Sequence, residues 1–300
     1  MVDAATAERY AQIAEEFSHC GFAVVRGFLS DEGLAQALHH TSVFCSSVLP
    51  CLPASRAFFS DPSDAASLRF ADLGGGRDFA PDQQPTNAFF SDLCDEPRWR
   101  ALADACLQEP STADAPALFN KTAGKSGETP PHQDNHYFCL DPPNCMTIWC
   151  TLDAITEETG ALRYLPGSHL EGPCREHEPS FNLGFSQRLA EGAYTDEDRL
   201  REVVISGLQP GDAIVHHSQC IHRADTNNAP VNTGVTRRAI GLVFRGVSAV
   251  VDQERYQAHL QSIEEQGLPG GGKEREKRQR RQQQEGGSAS TQDTTSTPRL

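Results

Sequence analysis

Three residues that could hold a metal ion are the most informative feature of this 300-residue chain. His132 and Asp134 stand two apart, and His222 follows far downstream. If the first two lie on a β-strand, both side chains point to the same face. A histidine from a neighbouring strand would then complete a set of two imidazoles and one carboxylate. Such a set caps one side of an octahedral metal and leaves positions open, as in the facial triad of non-haem Fe(II) oxygenases.

Short motifs around these residues strengthen the metal-site interpretation, since a His-x-Asp pair alone is common by chance. A Pro-Gly-Asp turn at 210–212 opens an apolar run that leads to His222. A Pro-Gly-Ser-His element at 166–169 lies between the two parts of the candidate triad, and a basic stretch follows at 236–240.

Several other histidines compete for the same chemistry. His136 alternates onto the face of His132 on a strand, so it could also coordinate a metal. His216 and His217 adjoin the distal strand, and His217 shares a face with Ala213 and Val215, which places it behind the ligands or near a substrate. Four further histidines carry no signal and are expected at the surface: His39, His40, His177 and His259.

Taken together and in order, these motifs resemble the phytanoyl-CoA dioxygenase family of 2-oxoglutarate-dependent oxygenases. The resemblance covers about residues 20 to 245 and is densest in 119–121, 132–134, 149–153, 160–162, 166–169, 211–212, His222 and 237–239. It implies a mainly β, double-stranded β-helix fold (a cupin-like jelly roll) with Fe(II), 2-oxoglutarate and O2. It also selects His132, Asp134 and His222 as the catalytic iron ligands, and it implies hydroxylation of an unidentified small molecule with release of succinate and CO2.

A 2-oxoglutarate oxygenase must also bind the distal carboxylate of its cosubstrate, and a buried arginine does this well by bidentate pairing. Arg237 and Arg238 compete for this role. On a strand Arg237 shares its face with small residues, whereas Arg238 shares the face of Ile240 and Phe244. The family pattern also selects Arg237, although a salt bridge is the alternative for either residue. The resemblance further implies that Trp149 and Lys121 line the cosubstrate site, while a core Trp149 and an exposed Lys121 remain open alternatives.

The net charge of the chain limits which kinds of partner it is expected to bind. The formal charge is −15, and because residues 271–300 carry seven Lys/Arg and four Asp/Glu, the rest of the chain is at −18. This acidic body argues against nucleic acid, which needs clustered Lys and Arg, and against an anionic membrane. No stretch is long enough to span a bilayer. A small molecule is therefore the expected partner, and the oligomeric state stays open.

The expected compartment is reducing. Residues 1–17 lack the apolar core of a signal peptide, so the ten cysteines are expected to be mostly free thiols. We expect a cytoplasmic protein, with the weak peroxisomal ending Pro298-Arg299-Leu300 as the alternative.

The elements that must position the site follow from local patterns. Helices are predicted over 3–18, from Ser30 and over 96–107, with a strand at 21–27 and a long irregular segment, a candidate lid, at 50–88. Short strands then predominate, at 117–121, 132–140, 145–152, 161–166, 202–207, 212–217 and 235–245. The insertion at 170–200 would cover the site. We thus expect one domain over 1–265, with its jelly-roll core at about 115–246 and flanking N-terminal helices, followed by a disordered charged and polar tail over 266–300.

Two other classes of function remain open at this point. One is a metal-dependent jelly-roll enzyme without redox chemistry, such as an isomerase or a hydrolase, which would not need Arg237 or O2. The other is a small-molecule-binding jelly roll that has lost turnover. An intact triad counts against the second class, because binding alone does not require open metal positions. Asp134 itself favours hydroxylation over halogenation, since a halide usually needs the carboxylate position vacant.

We predict that residues after about 266 are dispensable for folding and activity, because their composition cannot bury enough apolar surface to offset the entropy lost on ordering. Truncation after Gly270 should leave the melting temperature and the activity nearly unchanged. A large loss of either would show that the tail packs on the body.

Overall fold

The computed structural model of the protein describes residues 3–53, 56–74, 80–180 and 187–265. The predicted tail at 266–300, with its Pro-Arg-Leu ending, lies outside these residues. The helices are α1 (Ala4–Cys20), α2 (Asp31–Val43), α3 (Gln84–Asp92), α4 (Pro97–Leu107), α5 (Asn135–Phe138), α6 (Glu157–Gly160), α7 (Asp196–Arg201) and α8 (Gln253–Glu265). The strands are β1 (Phe22–Val25), β2 (Ala57–Phe59), β3 (Leu68–Asp72), β4 (Ser111–Ala113), β5 (Ala117–Thr122), β6 (Thr129–His132), β7 (Leu140–Asp141), β8 (Cys145–Thr151), β9 (Leu162–Tyr164), β10 (His177–Pro179), β11 (Gln187–Leu189), β12 (Val203–Ile205), β13 (Ala213–His217), β14 (His222–Ala224), β15 (Thr236–Gly246) and β16 (Val250–Val251).

Two antiparallel sheets form the jelly roll that the sequence predicts. The larger sheet has eight strands in the order β1-β13-β8-β15-β5-β3-β2, with β4 paired to β15. The smaller sheet has four strands in the order β12-β9-β14-β6. Side chains from both sheets meet in one apolar cluster, which includes Trp149 and Ile214 from the larger sheet and Leu162 and Tyr164 from the smaller one. The space between the sheets is therefore where inward-facing residues of either sheet can come together.

Helices cover the outer face of the larger sheet, as the sequence predicts. Alternate residues of β8, such as Met146 and Ile148, join Phe17 of α1 and Trp99 of α4 in the main core. Helix α1 begins at the cap residue Asp3, whose carboxylate accepts a hydrogen bond from the Thr6 backbone N–H. This apolar layer fixes which face of β8 is left for the inter-sheet space.

Two sequence predictions about elements are wrong. The predicted strand at 132–140 ends at His132, and the next residues turn into the short helix α5. The segment at 50–88, expected to be irregular, supplies β2 and β3 to the larger sheet, where β3 pairs with β5. Its high content of turn residues obscured two strands of five residues or fewer.

All ten cysteines are free thiols, as expected, and Cys139, Cys145 and Cys150 are buried. None of the helices in the described ranges is long and apolar enough to cross a membrane.

The Pro-Gly-Asp turn before β13 ties the N-terminal strand to the jelly roll. The buried carboxylate of Asp212 accepts hydrogen bonds from the backbone N–H groups of Gly27 at 2.7 Å and Gln209 at 2.8 Å. Arg26 Nη1 lies 2.9 Å from the same carboxylate. One acidic residue therefore holds the end of β1 against the start of β13.

We predict that Asp212→Ala lowers the free energy of unfolding by roughly 1.5–3 kcal/mol, because hydrogen bonds to a buried charged group are lost. The matched control is Asp95→Ala, whose carboxylate is 84% exposed in a surface pair with Arg100 and should contribute about 1 kcal/mol or less. Urea unfolding of both variants measures the difference. Equal effects would mean that the Asp212 contacts do not stabilise the fold.

Candidate metal and cosubstrate site

Two histidines of the smaller sheet form the base of the candidate metal site. His132 at the end of β6 and His222 at the start of β14 are directly paired across the sheet, with ring centroids 4.2 Å apart. The Nδ1 atom of His132 lies 2.8 Å from Pro130 O, and that of His222 lies 3.0 Å from Cys220 O. Because a carbonyl can only accept, each Nδ1 donates its proton, and the lone pair of the neutral ring is then on Nε2. Both rings are thus oriented as metal ligands.

Asp134 completes the set from a different backbone position than the sequence predicts. It is not on the strand of His132 but at the start of α5, with helical backbone angles. Its Oδ1 atom lies 3.5 Å from His132 Nε2 and 3.8 Å from His222 Nε2. Within the described part of the chain, these three residues are the one group whose potential ligand atoms lie close enough together, within 4.8 Å, to share a metal ion.

The protonation states suit a metal. Burial by itself would raise the pKa of Asp134, but the adjacent His222, His132 and His216 outweigh it and hold that pKa well below its usual range. Burial also lowers the pKa of His222 well below its usual range. Asp134 is therefore ionised, and a divalent cation would displace any proton held between this carboxylate and the Nε2 atoms of the two imidazoles.

A third histidine, His216, lies beside Asp134, in the place for which the sequence pattern favours its neighbour His217. His216 Nε2 lies 3.4 Å from Asp134 Oδ2, and Thr147 Oγ1 donates to the same oxygen at 3.4 Å. His217 instead points to the outer side, where its ring packs against Phe17 and His169. The pairing of His216 with Thr147 and of Ile214 with Trp149 shows that even-numbered residues of β13 face the site. The face of Trp149 was the signal that could have identified His216.

The other histidines also differ from expectation. His136 lies on α5, not on the strand of His132, and its ring stacks on His177 with a centroid distance of 4.0 Å. His177 is not a surface residue without a role, since its Nε2 accepts a hydrogen bond from the Gln133 backbone N–H at 3.2 Å. Burial lowers the pKa of His136 to about 3 and that of His177 to about 4. A neutral imidazole pair thus borders the triad.

Gln133, the buried residue between two of the candidate ligands, is hydrogen-bonded to the insertion that the sequence predicts to cover the site. Its side-chain oxygen accepts from the Arg175 backbone N–H at 2.8 Å, and its amide nitrogen donates to Gln219 O at 2.8 Å. The Arg175 guanidinium in turn pairs with Glu171 and Asp198. The predicted covering insertion therefore contacts the ligand-bearing turn directly.

Arg237 is buried in the same inter-sheet space, further along the larger sheet. Its guanidinium lies 5.2 Å from the centre of the Trp149 ring, and Nη1 donates to Gly160 O at 2.7 Å. Its Nε atom is buried and has no hydrogen-bond partner in the structure. Burial, followed by the nearby Arg69, lowers its pKa to about 10, so the side chain stays positive at neutral pH. An unsatisfied buried cation fits an anionic ligand.

Arg238 lies on the opposite face of β15 and pairs with Asp153, with Nη2 2.7 Å from Oδ1. This is the salt bridge that the sequence left open for either arginine. The neighbours of Arg238 on that face, Ile240 and Phe244, belong to the main core.

Lys121 is buried beside Arg237 but is committed to the protein backbone. Its ammonium donates to Gly127 O at 3.0 Å, Ala224 O at 3.0 Å and Asp225 O at 2.8 Å. Since an ammonium has three protons, no donor remains for a ligand. Burial, with the nearby Arg237 and Arg69, lowers the pKa of Lys121 well below its usual range. Lys121 therefore has a structural role, and its predicted contact with a cosubstrate stays a prediction. The exposed alternative is wrong, because the residue is buried.

Comparisons with known proteins agree with this geometry. A family model described as Phytanoyl-CoA dioxygenase (PhyH) matches residues 17–238. Phytanoyl-CoA dioxygenase 1 of Oryza sativa subsp. japonica is 30% identical over 155 residues, which cover 50% of this chain and 48% of the rice protein. The chain spans about half or less of the length of the curated relatives it matches.

Solved structures show the same fold. EvdO2 from Micromonospora carbonacea var. aurantiaca, complexed with 2-oxoglutarate, is 25% identical with a TM-score of 0.55, covering 84% of this chain and 94% of that one. The epimerase SnoN from nogalamycin biosynthesis, in complex with Fe3+ and alpha ketoglutarate, is 21% identical with a TM-score of 0.59, covering 83% and 87%. With the family model matched along most of its length, the chain belongs to the phytanoyl-CoA dioxygenase family.

Proposed function

We propose that this protein is an Fe(II)- and 2-oxoglutarate-dependent dioxygenase that hydroxylates a small organic molecule and releases succinate and CO2. The observation that carries the proposal is the combination of a preorganised His-Asp-His set with a buried, incompletely paired Arg237 in one inter-sheet space. A metal enzyme without redox chemistry would need the first feature but not the second. The 2-oxoglutarate in the EvdO2 structure supports the same cosubstrate.

The roles of the chain's own residues follow from their contacts. His132, Asp134 and His222 would hold Fe(II), which together with O2 and 2-oxoglutarate supplies the oxidative chemistry when bound. Arg237 would bind the distal carboxylate of 2-oxoglutarate, and Gly160 O holds the guanidinium in place through Nη1. The Trp149 ring supports the guanidinium face, which favours a fixed orientation.

The arrangement along β8 supports one continuous ligand site. Thr147 contacts Asp134, and Trp149, two residues further on the same face, contacts Arg237. A short dicarboxylate could therefore reach from the metal to the guanidinium inside the jelly roll. Tyr164 is paired with His222 across the smaller sheet and is fully buried in the apolar cluster between the sheets. Burial excludes water and strengthens every charged contact made there.

We further propose that the oxidation is a hydroxylation. Asp134 occupies the carboxylate position that a halide would otherwise need. Oxygen uptake with purified protein, Fe(II) and 2-oxoglutarate, followed by a metabolite screen for stimulated succinate release, tests the function. Incorporation of one atom of labelled O2 into the product would support hydroxylation. Iron binding without any oxygen uptake would favour the non-redox alternative, and no iron binding would favour an inactive binding protein.

We predict that His132→Ala, Asp134→Ala and His222→Ala each abolish Fe(II) binding and 2-oxoglutarate turnover while the fold survives, because each removes one of three ligands. His39→Ala, on the exposed side of α2, is the control and should behave as the wild type. Metal titration and succinate release measure the effect. Near-normal succinate release by Asp134→Ala would mean that the ligand assignment is wrong.

We predict that Arg237→Ala raises the apparent KM for 2-oxoglutarate far more than Arg238→Ala does. Loss of a charge-assisted pair in a buried site costs on the order of 2–5 kcal/mol, which is roughly thirty-fold or more in affinity. Arg238→Ala breaks an outer salt bridge with Asp153 and should affect stability instead. A 2-oxoglutarate titration at saturating Fe(II) compares the two variants. A larger KM effect for Arg238→Ala would exclude Arg237 as the anchor.

A further inference from the structure

We propose that His216 is a positioning residue that holds Asp134 Oδ2, so that Asp134 binds the metal through Oδ1 alone. This inference rests on the metal site of the proposed function and adds to it a residue from the opposite sheet. Tyr164 is the second member of the arrangement, because its hydroxyl orients the His216 ring.

The two oxygens of Asp134 have different neighbours. Oδ1 faces the smaller sheet, 3.5 Å from His132 Nε2 and 3.8 Å from His222 Nε2. Oδ2 faces the larger sheet, 3.4 Å from both His216 Nε2 and Thr147 Oγ1. A metal held by His132 and His222 would therefore meet Oδ1, while Oδ2 is occupied by two donors from β13 and β8.

The hydrogen-bond inventory fixes the tautomer of His216. An ionised carboxylate can only accept, so the Nε2 atom of His216 must carry the proton. With a single proton on the ring, the other nitrogen, Nδ1, is an acceptor, and it lies 3.1 Å from the Tyr164 hydroxyl. A phenol hydroxyl can donate, so Tyr164 can supply the proton of this hydrogen bond. The chain of donors runs from Tyr164 to His216 to Asp134.

The placement of His216 distinguishes it from the ligands. It comes from β13 of the larger sheet, whereas His132 and His222 are cross-strand partners in the smaller sheet. Its Nε2 lies 3.4 Å from Asp134 Oδ2, whereas the contacts of His132 and His222 are with Oδ1. Its ring packs against that of His222, with centroids 4.5 Å apart. Among the residues with described positions, the group close enough to share a metal contains His132, Asp134 and His222 but not His216.

The consequence concerns the number of open metal positions. Three protein ligands that bind through one atom each leave three positions on an octahedral metal. These are the positions that 2-oxoglutarate and O2 would share in the proposed reaction. A carboxylate that turns and binds through both oxygens takes one of them away. Holding Oδ2 therefore preserves the positions that the proposed reaction needs.

The test compares Fe(II) binding by the metal-free variants His216→Phe, His216→Gln and Tyr164→Phe under anaerobic conditions. Phenylalanine fills similar space without an N–H, whereas the glutamine amide can donate in place of Nε2. Loss of an outer hydrogen bond to a metal ligand typically weakens metal affinity about 10–100-fold. We expect that loss for His216→Phe, substantial recovery in His216→Gln, and a smaller loss for Tyr164→Phe. His217→Gln, on the opposite face of the same strand, is the matched control and should bind Fe(II) as the wild type does.

X-ray absorption of the Fe(II)-loaded proteins supplies a readout that a merely structural role would not change. Two bound imidazoles are expected in both the wild type and His216→Gln, with an extra carboxylate oxygen near the metal in His216→Phe. Three imidazoles in the wild type would make His216 a ligand and overturn the proposal. So would wild-type Fe(II) affinity in His216→Phe, or equal losses in His216→Phe and His216→Gln. Wild-type protein that binds no Fe(II) would overturn the metal site and this inference together, whereas retained binding in His216→Phe would overturn this inference alone.

Discussion

One carboxylate held between two β-sheets is the constraint on which the rest of the site depends. Asp134 contacts imidazoles of the smaller sheet through one oxygen and side chains of the larger sheet through the other. Burial opposes ionisation of this group, and the surrounding histidines reverse the balance. Side chains from both sheets therefore favour the charged form. The pairing of the strands and the helical layer outside the larger sheet affect the site because they fix the two sheets between which Asp134 lies.

One face of the larger sheet packs against the helices, and the other face carries the side chains of the candidate site. Along β8, Met146 and Ile148 join the helical core, while Thr147 and Trp149 face the inter-sheet space. On β15 the same alternation separates Arg238, which pairs with Asp153 at the edge of the core, from the buried Arg237. A stable apolar layer on one face lets the other face carry polar and charged groups without loss of the fold.

The alternation of apolar and polar residues along the strands predicts the structure well. The faces of β8 and β15 follow directly from it, and with them the burial of Arg237 and Trp149. Alternation does not predict the turn at Asp134. The short strand β6 ends at His132, and the two residues that follow are too few to show a periodic pattern. The sequence favours His217 over His216 because His217 shares a face with Ala213 and Val215, but in the structure those two residues pack in the helical core. Which face of a strand is inward depends on tertiary packing that one strand cannot reveal.

Gln133 links ligand geometry to the segment above it, and this has a consequence for how such an enzyme could acquire a new specificity. The residue between two candidate ligands is bonded to the Arg175 backbone, to His177 and to Gln219. Exchanging the covering segment for one of another shape would remove two of these anchors and free the turn that presents Asp134. Under the proposed function, a recombined protein would then lose its metal site before it gained a new substrate. Loop exchange in this protein should therefore keep the Arg175 to His177 stretch and vary the sequence beyond it.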